Sequence, residues 1–61
     1  MKKINNFTEL VNIWDTSGIT FIETTRNKDN RIGGLDNLLE NNSEEELISK
    51  IEQGILFYKI Y

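Results

Sequence analysis

The last third of the chain constrains the fold most, because its pattern predicts a helix that passes into a strand through a single glycine. Ser43 precedes three consecutive glutamates, which supplies a hydroxyl N-cap, a glutamate at the third helical position and carboxylates near the positive end of the helix dipole. Gly54 stands where helices often close in the left-handed conformation. The residues that follow, Ile55–Tyr61, are rich in β-branched and aromatic types and contain no breaker, which predicts a strand.

This C-terminal strand has apolar residues on both faces, as central strands do. Alternation places Ile55 and Phe57 on one face, which we expect the helices to cover. The opposite face then needs a second copy or another protein to cover it, because exposed apolar patches mark interaction sites. The residues predicted for this interface are Ile22, Leu56, Tyr58, Ile60 and Tyr61.

A similar unit occurs near the N-terminus. Asn6 is a cap, and the apolar residues Phe7, Leu10, Val11 and Trp14 then recur at helical spacing. The alternative is a strand over residues 10–15 that pairs in a hairpin with residues 19–25. Residues 6–21 match residues 43–57 in cap, glutamate, apolar positions and a final Gly-Ile-x-Phe, which favours the helix. The match is explained either by duplication or by a shared structural pattern.

The middle of the chain predicts a hairpin and a short helix. Residues 18–26 have strand composition, residues 27–30 predict a turn, and Arg31-Ile32 a brief returning strand that ends at Gly33-Gly34. Residues 35–42 predict one or two helical turns. The whole chain, residues 1–61, is therefore predicted to be one α+β domain in two layers, with helices on one face of a small, mainly antiparallel sheet. The element order is α-β-(β)-(α)-α-β, with the last strand central or at an oligomer interface.

The size of the domain sets its packing problem. A chain of 61 residues buries only about 60% of the surface that its unfolded form exposes, and this one has no cysteine for disulfides. Small domains without such staples often associate, so we expect a homodimer or larger oligomer. The predicted core consists of Phe7, Leu10, Val11, Trp14, Ile19, Phe21, Leu38, Leu39, Leu47, Ile48, Ile51, Ile55 and Phe57.

Composition argues against catalysis. The chain has neither histidine nor cysteine, which removes the usual base-activated nucleophiles and zinc ligands. Its three serines are better explained as turn, cap and outer-face residues. We therefore predict a protein that is not an enzyme and has no catalytic residue, metal or cofactor. No apolar run is long enough to span a membrane, so the expected location is the cytoplasm and no membrane contact is expected.

The predicted function is protein–protein interaction with an unidentified target. The chain lacks alanine and proline but has eight asparagines and nine isoleucines, which indicates AT-rich coding as in low-GC bacteria and their phages. The specific hypothesis is a phage or mobile-element inhibitor of a host defence or nucleic-acid-processing protein. The alternative is an oligomeric nucleic-acid-binding protein that uses a basic hairpin tip of Arg26, Lys28 and Arg31.

Overall fold

The computed structural model of this chain describes residues 1–60, and Tyr61, one of the predicted interface residues, lies outside the described residues. These residues form four strands and three helices. In chain order they are β1 (Lys2–Lys3), α1 (Phe7–Ile13), β2 (Ile19–Thr25), β3 (Lys28–Gly33), α2 (Leu35–Asn41), α3 (Glu44–Gln53) and β4 (Leu56–Ile60). The predicted α+β class, with helices packed on a small antiparallel sheet, is confirmed.

Helix α3 begins and ends as its sequence predicts. The Ser43 hydroxyl accepts from the Glu46 backbone N–H, and the Glu46 carboxylate accepts from the Ser43 N–H at 3.1 Å, which completes a capping box. Gly54 has φ of 73°, and its N–H donates to the Ile51 carbonyl. The Ile55 N–H reaches back to Lys50 O at 3.2 Å, so the helix closes in a Schellman arrangement.

Helix α1 confirms the helical interpretation of residues 7–13 over the strand alternative. Asn6 caps it by accepting from the Glu9 backbone N–H at 2.9 Å. The Glu9 carboxylate accepts from the N–H of Asn5 instead of the cap residue itself, so the reciprocal bond is displaced by one residue. The Phe7 and Trp14 rings meet edge to face at the two ends of the helix, with centroids 6.4 Å apart.

The sheet has strand order β1-β4-β2-β3, and every adjacent pair is antiparallel. Strands β1 and β2 therefore run in the same direction with β4 between them, and β3 and β4 run in the same direction with β2 between them. If β1 is exchanged with β3, and β2 with β4, the order becomes β3-β2-β4-β1, which is the same order read from the other edge of the sheet. The helix–strand repeat in the sequence thus has a counterpart in a pseudo-twofold arrangement of the two halves.

The β2–β3 hairpin is tighter than the sequence predicted. Arg26 and Asn27 have φ of 46° and 65°, as in the two-residue turns whose twist matches antiparallel strands. The prediction of a turn over residues 27–30 is therefore wrong, because Lys28 already pairs with Thr25 and β3 begins there. The connection between β2 and β3 is therefore a two-residue turn of left-handed residues, and not the four-residue turn that the polar composition predicted.

One core cluster joins all three helices to one face of the sheet. The buried apolar residues are Ile4, Leu10, Ile19, Phe21, Leu38, Leu47, Ile51 and Leu56. Three predicted core residues are instead exposed, namely Val11, Leu39 and Ile48. Val11 and Ile48 occupy equivalent positions in the two repeats. Each helix is short and buries a narrow stripe, so the second of two adjacent apolar residues turns away from the sheet.

A polar contact fastens α2 and α3 to the sheet. The Lys50 ammonium lies 3.1 Å from the Glu23 carboxylate on β2 and also donates to the Asn42 side-chain carbonyl. Asn42 is buried, and its amide donates to the Leu38 carbonyl at the end of α2 at 3.0 Å. A buried side-chain amide is costly without partners, and here both of its ends are bonded.

Candidate functional site

Strand register decides which side chains lie on the face of the sheet away from the helices. In the β2–β4 pair Phe21 lies opposite Tyr58, and Ile22 lies opposite Phe57. Residues opposite each other share a face, so the burial of Phe21 places Tyr58 on the helix side and leaves Ile22 and Phe57 on the other. We call this second side the open face. By register it carries Lys3, Thr20, Ile22, Thr24, Asp29, Arg31, Ile55, Phe57 and Lys59.

The residues predicted for the interface therefore do not share one side of the sheet. Leu56 has 0% exposure and belongs to the core, and Tyr58 packs against that core. Ile60 shares their side but is 58% exposed at the end of the strand. Only Ile22 lies on the open face. The error arose because both faces of β4 are apolar, so alternation alone left open which one turns inward.

One row of the open face crosses the entire sheet. Lys3 lies opposite Phe57, Phe57 opposite Ile22, and Ile22 opposite Arg31. An aromatic and an aliphatic side chain, both half-buried, thus have a cation on either side. Ile55 continues the apolar centre, because its carbonyl accepts from the Thr24 N–H at 2.8 Å in the same register.

The charges of the described residues are divided between the two layers. The four strands and the hairpin turn hold six of the seven basic residues of the chain but only two of its ten acidic residues. The three helices hold seven acidic residues and a single basic one, Lys50. The net charge of −3 therefore conceals a basic sheet layer and an acidic helix layer. The basic residues of the sheet layer are Lys2, Lys3, Arg26, Lys28, Arg31 and Lys59.

The predicted basic hairpin tip is divided by the strand geometry. Arg26 lies in the turn and Lys28 is the first residue of β3, where it lies opposite Thr25. Arg31 is on the open face, whereas Lys28 is on the helix side by alternation. Lys28 and Arg31 therefore lie on opposite sides of the sheet. Arg31 instead shares the open face with Lys3 and Lys59, which the sequence analysis did not select.

Two grooves on the surface lie beside β1. A groove of about 370 Å³ separates β1 from α1, and a smaller one of about 220 Å³ adjoins it near the end of β4. Tyr58 lines both grooves, and the larger one also has Glu9, whose carboxylate is already bonded to the Asn5 N–H at 2.9 Å. The larger groove therefore combines two lysines, one carboxylate and one phenol.

The remaining findings concern metals, membranes and known proteins. Among residues 1–60, acidic side chains nowhere form a group of three that could hold a metal ion. None of the three helices described has the length and apolar run needed to cross a bilayer. Comparisons with protein-family models, with curated proteins and with solved structures gave no match for this chain. The expected cytoplasmic location stays a prediction.

Proposed function

We propose that this chain is a small, non-enzymatic interaction module that acts by occupying a surface of another protein through its open face. The observation that supports this proposal is an apolar centre of Ile22, Ile55 and Phe57 bordered by Lys3, Arg31 and Lys59. An apolar centre with a polar border is the usual anatomy of a protein interface. The basic border favours a partner whose surface is acidic around an apolar hollow.

The specific form that we propose is an inhibitor from a phage or mobile element that blocks a host defence or nucleic-acid-processing protein. This part rests on the small size of the chain and on its composition, with eight asparagines, nine isoleucines and no alanine or proline. The open face is also suited to blocking another protein, because it lies on paired strands and its binding does not carry the entropic cost of ordering a loop.

Site-specific photo-crosslinking tests the proposal. Phe57 is replaced by benzoylphenylalanine, which keeps an aromatic ring on the open face, and Ser49, exposed on α3, is replaced in a control protein. After irradiation in a lysate of a low-GC bacterium, we expect a discrete product from position 57 that protease removes and nuclease does not. The product is expected to disappear when Lys3, Arg31 and Lys59 are changed to glutamate. Equal products from both positions would contradict the proposal.

The division of charge favours a second candidate, the binding of single-stranded nucleic acid by the same face. An aromatic ring between cations is the arrangement on which bases stack while phosphates are neutralised. If the three border cations each contact a phosphate, the logarithm of the affinity should fall with the logarithm of salt concentration with a slope of about −2, at roughly −0.7 per contact.

Fluorescence anisotropy with a labelled single strand distinguishes the two candidates. For nucleic-acid binding, changing Lys3, Arg31 and Lys59 to glutamine should abolish the signal. Changing Arg26 and Lys28, the cations at the hairpin tip, should have a smaller effect. A signal that is absent at low salt leaves the protein partner as the function. If the changes at the hairpin tip reduced the binding signal more than the changes on the open face, the nucleic-acid site would lie at the hairpin instead.

A further inference from the structure

Among the described residues, β3 has the longest strand edge that forms no ladder with another strand. β3 spans Lys28–Gly33 and pairs only with β2, whereas β4 pairs with β1 on one side and β2 on the other. β4 is therefore central in the sheet, which is one of the two positions predicted for the C-terminal strand. We propose that two copies of this chain pair through the outer edges of β3, antiparallel about a two-fold axis at Asn30, to give one eight-stranded sheet.

The hairpin fixes which backbone groups of β3 point outward. Thr25 and Lys28 flank the two-residue turn and form a hydrogen-bonded pair, and bonded and non-bonded pairs then alternate along the ladder. The Thr24 N–H points the other way, since it donates to Ile55 at the β4 side. Its opposite residue on β3, Asp29, therefore directs its N–H and C=O away from β2, and so does Arg31 two residues further on.

Only a few registers let one β3 edge pair with another. An antiparallel pair of identical strands has a two-fold axis, and outward-pointing residues must lie opposite outward-pointing residues. The axis can therefore pass through Asp29, Asn30 or Arg31. An axis at Asp29 or at Arg31 places two like charges directly opposite each other, which is destabilising.

The register with its two-fold axis at Asn30 places opposite charges, not like charges, across from each other. Asp29 then lies opposite Arg31 of the partner subunit, and Arg31 lies opposite the partner's Asp29. Each of these two pairs exchanges two backbone hydrogen bonds and also joins opposite charges across the strands. Charged residues on an edge strand usually discourage pairing, but their order here makes one register self-complementary.

Two contacts within the subunit support this edge as an interface. The Thr24 hydroxyl donates to the Asp29 carboxylate at 2.9 Å, which orders the carboxylate on the open face. Helix α2 packs over β3 and β2, and its Leu39 is 45% exposed. This helix would extend the contact area beyond the backbone ladder.

The rival arrangement, in which two copies stack their open faces, is disfavoured by charge. It would bring the Lys3, Arg31 and Lys59 border of one copy against the same border of the other. Pairing through β3 instead joins the two open faces side by side into one larger basic surface. The proposal concerns self-association only, so it stands or falls independently of the partner that the open face binds.

Sedimentation equilibrium from micromolar to millimolar concentration tests the register. The wild-type chain should dimerise, and Asp29→Arg or Arg31→Asp should each raise the dimer dissociation constant by about tenfold or more, because each places like charges opposite each other twice. Glu52→Arg is the matched control for Asp29→Arg, since it makes the same change of charge at an exposed position of α3 and should leave dimerisation unchanged.

Mixing the two variants gives the decisive result. The Asp29→Arg chain has arginine at both positions 29 and 31, and the Arg31→Asp chain has aspartate at both. The charges of the two variants are therefore complementary, and an equimolar mixture should form a heterodimer as tight as the wild-type dimer. Native mass spectrometry identifies it, and circular dichroism shows that each variant is folded. The chain that carries both reversals should also dimerise. A wild-type monomer at millimolar concentration, a dimer that tolerates either single reversal, or a mixture that stays monomeric would overturn the proposal.

Discussion

The inward face of β4 can be tested by placing threonine at either of two adjacent positions. Threonine suits a strand, so Leu56→Thr and Phe57→Thr alter strand propensity in similar ways and differ mainly in burial. Leu56 is fully buried, whereas Phe57 is half-buried on the open face. Truncating a fully buried leucine to alanine costs about 3–5 kcal/mol, and threonine adds a hydroxyl that has no partner in the core.

This cost is large compared with the stability of the whole domain. At roughly 0.05–0.15 kcal/mol per residue, a chain of this length is stable by about 3–9 kcal/mol. Leu56→Thr should therefore lower the melting temperature by at least about 12 °C, at about 4 °C or more for each kcal/mol, or unfold the protein outright. Ile60→Thr, on the same side but 58% exposed, should cost less than about 1 kcal/mol.

Urea denaturation followed by the fluorescence of Trp14, which packs against the core, measures these differences. The expected order of damage is Leu56→Thr, then Phe57→Thr, then Ile60→Thr. The sequence interpretation, with Phe57 inward and Leu56 outward, implies the reverse order for the first two. If Phe57→Thr proved the more damaging, the register between β2 and β4 described above would be incorrect.

Three further predictions concern caps and turns. Ser43→Ala should cost about 1 kcal/mol in thermal unfolding, because it removes the N-cap of α3. Hydrogen bonds from the Ser43 backbone N–H, and then from its side chain, hold the pKa of Glu46 below its ordinary value of 4.5. The wild type should therefore be more stable than Glu46→Gln above pH 4.5. This extra stability should be lost as the pH falls through the lowered pKa. Melting curves across this range test it, and a difference independent of pH would refute it. Arg26→Asn with Asn27→Gly should stabilise the hairpin by about 1 kcal/mol in chemical denaturation, since these residues accept positive φ, and a loss of stability would contradict the turn geometry.

Local signals were sufficient for the helices, whereas they misplaced the start of β3. The Ser43 cap, the glutamates after it and Gly54 define α3 by contacts within one or two turns, and the structure has each of them. The match between the two helix–strand units assigned α1 correctly, for the same reason. It failed in the strands, where aligning Phe57 with Phe21 placed both inward although only Phe21 is buried. Counted from the glycine of each unit, β2 begins one residue after Gly18 and β4 begins two residues after Gly54, so the two strands enter the sheet one residue out of step.

The sequence by itself determined the class of the fold and the helix boundaries, because caps and spacing act over a few residues. Only the tertiary structure decided which apolar face of β4 is covered, because both faces have similar hydrophobicity and pairing with β2 selects between them. The same pairing brought Lys3, Phe57, Ile22 and Arg31 into one row from three distant parts of the chain. No local pattern contains that row, since it exists only when strand order and register are set.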